Sequence, residues 1–480
     1  MKRMLCILIS LLMISVMPAS GESLKKVDAE YNSGDYAYVL DVSNGAVIVK
    51  YNGSAVELAV PSSIDGHPVK AIGDDAFSNY ERLTSVTLPE GLETIGDGAF
   101  AYCLNLNSIT LPEGLKAIGS IAFTSCSNLT SISLKEGLET IGTCAFSSCV
   151  NLVSVTVPDS VIKIEMNPFA YCNRLEEIFV SPENPLFSHI DGVLFNKAEM
   201  QLLSYPVGKK ASSYSIPAGV KSIGPQAFIS CGNITSITLP DGLETISFEA
   251  FWMCKNLTSI TLPAGLETIG SRAFSYCENL TSISLPNGLK TIDHLAFQSC
   301  KNIATVTLPE SVETIVGNPF VNCESLAEIR VAPDHPMFAQ IDGILFNKEK
   351  TKLLAYPMGK RETAYIVPAG VKYIDESAFE LCQGLTSVVL PEGLESIGIG
   401  AFWKSANITS VALPEGLESI GMFAFDSCEH LNSITLPASI LKIGSNAFDG
   451  GIKLIVTCDS YAEKWAKESE INYQYKDSLD

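Results

Sequence analysis

One spacing governs this chain: a phenylalanine every 23 residues. Phe77, Phe100, Phe123, Phe146 and Phe169 form a first series; Phe228, Phe251, Phe274, Phe297 and Phe320 a second; Phe379, Phe402, Phe425 and Phe448 a third. Both gaps between series span 59 residues, so a longer period of 151 residues contains the shorter one. A fixed period of this size means that each turn cannot bury its apolar positions alone and must stack on its neighbours. Between Phe77 and Phe100, Leu83, Val86 and Leu88 carry the apolar face of a strand, and Pro89, which has no N–H for a ladder, stops it. Leu92 and Ile95 turn inward again, Ala99 and Phe100 close the coil with a helix-like half turn, and Cys103 follows three residues later. The pattern predicts an α/β-type, β-rich solenoid: a curved array with a parallel sheet, 23-residue turns, one strand per turn and two inserted hairpin segments.

The start of the chain has a different character. Lys2 and Arg3 precede an apolar run from Met4 to Met17, followed by Pro18-Ala19-Ser20-Gly21. This is the three-part pattern of a secretory signal peptide with cleavage near Gly21; the run is too short for a membrane span. The mature protein is expected to be secreted or held at the cell surface, with no membrane span. The net charge of −21 argues against nucleic acid, which needs clustered Lys and Arg.

Within the repeat, Ala250-Phe251, Cys254 and Asn256-Leu-Thr-Ser-Ile-Thr-Leu-Pro263, then Gly265-Leu-Glu-Thr-Ile-Gly270, give a consensus that recurs from about Ile72 to Ile455. This consensus resembles the BspA-like leucine-rich repeat family. The resemblance implies a bacterial surface or secreted protein that adheres to host proteins or neighbouring cells. An extracellular glycan- or peptide-binding scaffold working beside separate enzymes is the alternative. It implies neither an enzyme nor a cofactor, and no His-Glu-x-x-His, Gly-x-Ser-x-Gly or phosphate-binding motif stands in a suitable context.

The domain plan reads as a signal peptide over 1–21, an N-terminal β cap over 22–70, repeats over 71–456 and a C-terminal cap over 457–480, with a helix expected at Tyr461 to Lys467. The inserts are 170–227 and 321–378; each holds Ile-Asp-Gly-x-Leu-Phe-Asn-Lys and then Leu-Leu-x-Tyr-Pro, a hairpin expected to project from the solenoid or lie on its flank. Eleven of the fourteen cysteines occupy the slot after the repeat phenylalanine, and free, buried thiols suit it better than disulfides. No Cys-x-x-Cys pair suggests zinc. The recurring Asn105, Asn128, Asn256 and their equivalents read as a buried amide row, and Glu93, Glu139, Glu244, Glu267, Glu313, Glu395 and Glu418 as a solvated acidic row. Outward strand positions form rows of Ser and Thr, interrupted at the inserts by Glu177 with Phe179 and by Glu328 with Arg330. Those four residues are the candidate binding positions, for a protein or glycan ligand. No catalytic or metal site is expected.

Overall fold

The computed structural model describes residues 30–476; the expected signal peptide lies outside them. Most coils carry two short strands rather than the single one expected. One is the Ser-Ile-Thr strand, such as Ser236–Thr238 beside Ser259–Thr261, parallel, with Ile237 opposite Ile260. The other is only two residues long, such as Thr245–Ile246 beside Thr268–Ile269. Two residues are too few for alternation to register in a sequence. The strand exists because stacking turns each Ile inward and leaves its backbone to the next coil, with Gly270 N donating to Ile246 O at 2.8 Å. The outer arc is not a half turn of helix. It is a pair of tight turns through two positive-φ residues, as at Ile121 (φ 50) and Ser125 (φ 62). Its amides also reach the next coil: Phe123 N donates to Ala145 O at 2.7 Å.

The repeat phenylalanines stack at 4.9–5.7 Å between ring centres. They do not form one column. Each of three stacks starts on a tyrosine: Tyr51 on Phe77, Tyr205 on Phe228 and Tyr356 on Phe379. The buried apolar residues divide in the same way into three clusters, and the inserts are the dividing walls.

Each insert contains the expected antiparallel pair, Val193–Asn196 with Gln201–Ser204 and Ile344–Asn347 with Lys352–Ala355. A third strand, Phe187–Ile190 or Phe338–Ile341, completes a meander, and the last strand of each meander pairs in parallel with the next coil. The hairpins neither project nor lie on a flank. They are built into the ladder and buried on both faces: Phe187, Leu194 and Leu203 belong to the core before the insert, Val193, Phe195, Leu202 and Tyr205 to the core after it. The second insert repeats this, with Phe338, Leu345 and Leu354 facing back and Ile344, Phe346, Leu353 and Tyr356 facing forward.

The N-terminal strands have the same topology. Tyr31–Ser33, Tyr36–Leu40 and Ala46–Tyr51 form an antiparallel meander whose last strand pairs in parallel with His67–Ile72. By register, Tyr38, Ile48 and Tyr51 take the places of Phe195, Leu202 and Tyr205, while Ala37 and Val49 stand where Leu194 and Leu203 reach the preceding core. The inserts and the N-terminal cap are thus one device in three copies, with large apolar residues on the second face only where another unit precedes it. At the other end the helix runs over Tyr461–Glu468, Ser460 accepts from Glu463 N, and Trp465 meets Phe448 edge-on at 5.9 Å, closing the last coil.

Candidate binding surface

The internal meanders also shape the surface. Asp191-Gly192 and Asp342-Gly343 form two-residue turns with both residues at positive φ (51 and 70, 51 and 77), the Asp-Gly hairpin geometry. Each tip is pressed against the last Ser-Ile-Thr-type strand of the preceding unit. Ile178 N donates to Gly192 O, and Ile329 N to Gly343 O, both at 2.9 Å. A Cβ on Gly192 would lie 3.1 Å from the Glu177 backbone, so glycine is needed for approach as well as for φ. Lys209 and Lys360 donate to the Asp191 and Asp342 carbonyls at 2.7 and 2.9 Å.

The structure brings Glu177 together with Phe179 beside the first tip, and Glu328 with Arg330 beside the second. It does not bring the two pairs together: about six coils separate them, roughly 30 Å at ordinary strand spacing. Phe179 is 39% exposed and meets the His189 ring edge-on at 5.6 Å; His189 Nδ1 accepts from Val180 N at 3.0 Å. In the second site Arg330 Nε donates to Glu328 at 2.9 Å, and Gln340, in the place of His189, accepts from Gly343 N at 2.7 Å. The first tip therefore offers an aromatic edge and an imidazole, the second a guanidinium already committed to its own carboxylate. Sequence reading missed His189, Gln340 and the two tips. The Asp-Gly pairs flanked by apolar residues were the available signal.

Three of the expected rows differ in detail. Apart from the half-buried Asn151 the asparagines are exposed, yet most still tie a backbone carbonyl one coil away, as Asn256 Nδ2 does with Gly232 O at 2.7 Å, while Asn128 and Asn279 donate to the asparagine of the preceding coil. The acidic row is mixed with lysines in the same slot. Lys70 and Lys116 both lie 2.8 Å from Glu93, and Lys372 lies 2.7 Å from Glu395. Hydrogen bonds from Lys116 and Lys70 hold Glu93 down at about 2, although such exposed pairs contribute little stability. In the third unit the Ser row continues through Ser387, Ser410 and Ser433, whereas Ile366 (72% exposed), Val389 and Ala412 replace the outer Thr until Thr435. In the first two units the hydroxyls of Ser108, Thr110, Ser259 and Thr261 have no intramolecular partner. Among the described residues one group has metal-ligand proximity, Cys458, Asp459 and Glu463 within 4.8 Å, but Glu463 already accepts from Lys467, Tyr475 and Asp459 N.

Stacked coils with a largely apolar interior, recurring Leu and Ile, and polar outer rows define a leucine-rich repeat solenoid. Residues 56–176, 207–335 and 359–460 match the BspA-type leucine-rich repeat region, six copies in all, and the chain belongs to that family. Its fold is similar to that of a leucine-rich cell surface protein from Faecalibacterium prausnitzii (23% identity, 94% of this chain and 96% of that one, TM-score 0.49). It is also similar to a leucine-rich repeat protein from Bacteroides ovatus (23%, 93% and 99%, 0.43) and to the pneumococcal vaccine antigen PcpA (19%, 94% and 100%, 0.47). A comparison with curated proteins finds no match.

Proposed function

We propose that this chain is an exported, non-enzymatic interaction scaffold, secreted or held at the cell surface, that binds proteins or neighbouring cells. In this reading residues 1–21 are removed on export near Gly21, residues 22–70 and 457–480 close the two ends, and the repeats over 71–456 present the surface. The observation that carries the reading is the division of labour in each coil: the inward positions are used up in packing, and outer strand hydroxyls such as those of Ser108, Thr110, Ser259 and Thr261 make no hydrogen bond within the chain. Among the described residues no helix is long and apolar enough to cross a membrane. Contacts concentrate near Glu177 and Phe179 and near Glu328 and Arg330, at equivalent tips in two units, and a repetitive partner engaged twice gains apparent affinity through effective concentration. The unpartnered hydroxyl rows favour a second reading, a glycan- or peptide-binding scaffold. A pull-down with the mature protein identifies the partner, after which Phe179→Ala, Arg330→Ala and the double variant are measured. Lower affinity in either single variant and a larger loss in the double variant are expected. Unchanged affinity in all three would move the interaction to another face.

A further inference from the structure

Nine repeat thiols donate to the carbonyl of the phenylalanine 26 residues earlier, at 3.0–3.3 Å. Cys231 and Cys382 do not. Their acceptors would be the Tyr205 and Tyr356 carbonyls, but Cys231 Sγ lies instead 3.9 Å from Ile229 O, two residues away, and the Cys382 thiol has no such bond. Both are buried. Beside each stand two tyrosines, Tyr205 with Tyr214 and Tyr356 with Tyr365, each pair with ring centres 5.1 Å apart. All four phenol oxygens are buried without a protein partner among the described residues; Tyr205 is 2% and Tyr356 5% exposed. Burial, and then the neighbouring thiol and second phenol, push Tyr205 and Tyr356 up; burial and the Asp191 or Asp342 carboxylate do the same to Tyr214 and Tyr365.

Buried hydrogen-bonding groups are nearly always satisfied. Two unpartnered phenols beside a thiol that lacks the repeat's usual acceptor, repeated 151 residues later, are therefore a built feature. The first described unit lacks the feature: Leu58 takes the place of Tyr214, and Tyr80 donates its hydroxyl to Gly53 O.

We infer that each internal join encloses a hydration site, in which one buried water is held by two phenols and a thiol: Tyr205, Tyr214 and Cys231 at the first join, Tyr356, Tyr365 and Cys382 at the second. Water is the ligand that fits, because it accepts from one phenol while donating to another and brings no charge into an apolar core. The site supplies the hydrogen bonds that the repeat loses where a meander replaces a full coil.

Magnetic relaxation dispersion of water oxygen on the full chain counts long-lived internal waters. The double variant Tyr214→Phe, Tyr365→Phe is expected to lose two of them, whereas Tyr80→Phe, which removes a protein–protein hydrogen bond, loses none. An unchanged count in the double variant, or an equal loss in Tyr80→Phe, overturns the site. Should the double variant fail to fold, crystallographic density of the unsubstituted protein decides. A water within hydrogen-bond distance of both phenols at each join supports the site, and a dry join refutes it.

Discussion

At the residue scale the repeat cysteine is a hydrogen-bond donor as much as a small apolar residue. Ser405 shows why the slot tolerates loss of sulfur: its hydroxyl makes the same bond, 2.6 Å to Phe379 O. Cys254→Ser is therefore expected to change stability little. Cys254→Ala, which removes the thiol's bond and leaves Phe228 O only the bond from Cys231 N, should cost about 0.5–1.5 kcal/mol in denaturant titration. Burial pushes the Cys254 thiol up to about 12, so it is protonated and unreactive in the folded chain. In a native thiol titration of a chain lacking residues 1–21, Cys458 is the one described cysteine expected to react; the other twelve should react only after denaturation. A second fast-reacting equivalent would contradict this burial pattern. The position and burial of the slot were legible from its period of 23. The donor role was not, because it depends on which carbonyl the neighbouring coil presents.

At the scale of the element, the meander is the device that separates the units. Leu194→Ala removes a fully buried side chain that reaches back into the preceding core, and should cost about 2–5 kcal/mol by chemical denaturation. Val49→Ala, at the matching place on the first meander, should cost less, since Val49 is only half-buried and among the described residues that face packs against no earlier unit. A similar cost at both places would undo the distinction between internal and terminal copies. The second join also buries Glu380, whose carboxyl burial raises to about 7 against the opposing pull of Ser377 and Lys404. A raised carboxyl keeps its proton in the folded state after the unfolded state has lost it, so this residue's contribution to stability falls as pH rises from about 4.5 to about 7. Glu380→Gln should therefore raise the Tm more at pH 8 than at pH 5, by the equivalent of roughly 1–3 kcal/mol. An equal gain at both pH values would mean that Glu380 is not titrating in that window. The hairpin in each insert was readable from its apolar runs. Its burial was not, because residues apolar on both faces describe a wall between two cores only once both cores are present.

At the scale of the whole molecule there are three capped units rather than one uniform array. Each has its own phenylalanine stack and its own meander, and the period of 151 residues is the length of a unit. Excising residues 187–337 joins Leu186 to Phe338, the residue equivalent to Phe187, and restores a join of the same kind. That shortened chain is expected to fold cooperatively with an unchanged circular dichroism spectrum per residue. Loss of cooperative melting would show that the units are not interchangeable. In a quasi-one-dimensional stack, coupling passes only through nearest neighbours. Hydrogen exchange should accordingly reveal protection that changes at the meanders rather than uniformly along the chain.

The period of 23, the inward Leu, Ile and Phe, the strand-stopping prolines and the C-terminal helix with its Ser460 cap were determined by sequence alone, because each depends on contacts within a coil or with an identical neighbour. The second ladder, the tips beside Glu177 and Glu328, the roles of His189 and Gln340, and the three separate cores were decided only by the tertiary structure. Each depends on what the adjoining coil or unit presents: a two-residue strand has no period of its own, and the two faces of a meander acquire different meanings only when a core packs against each.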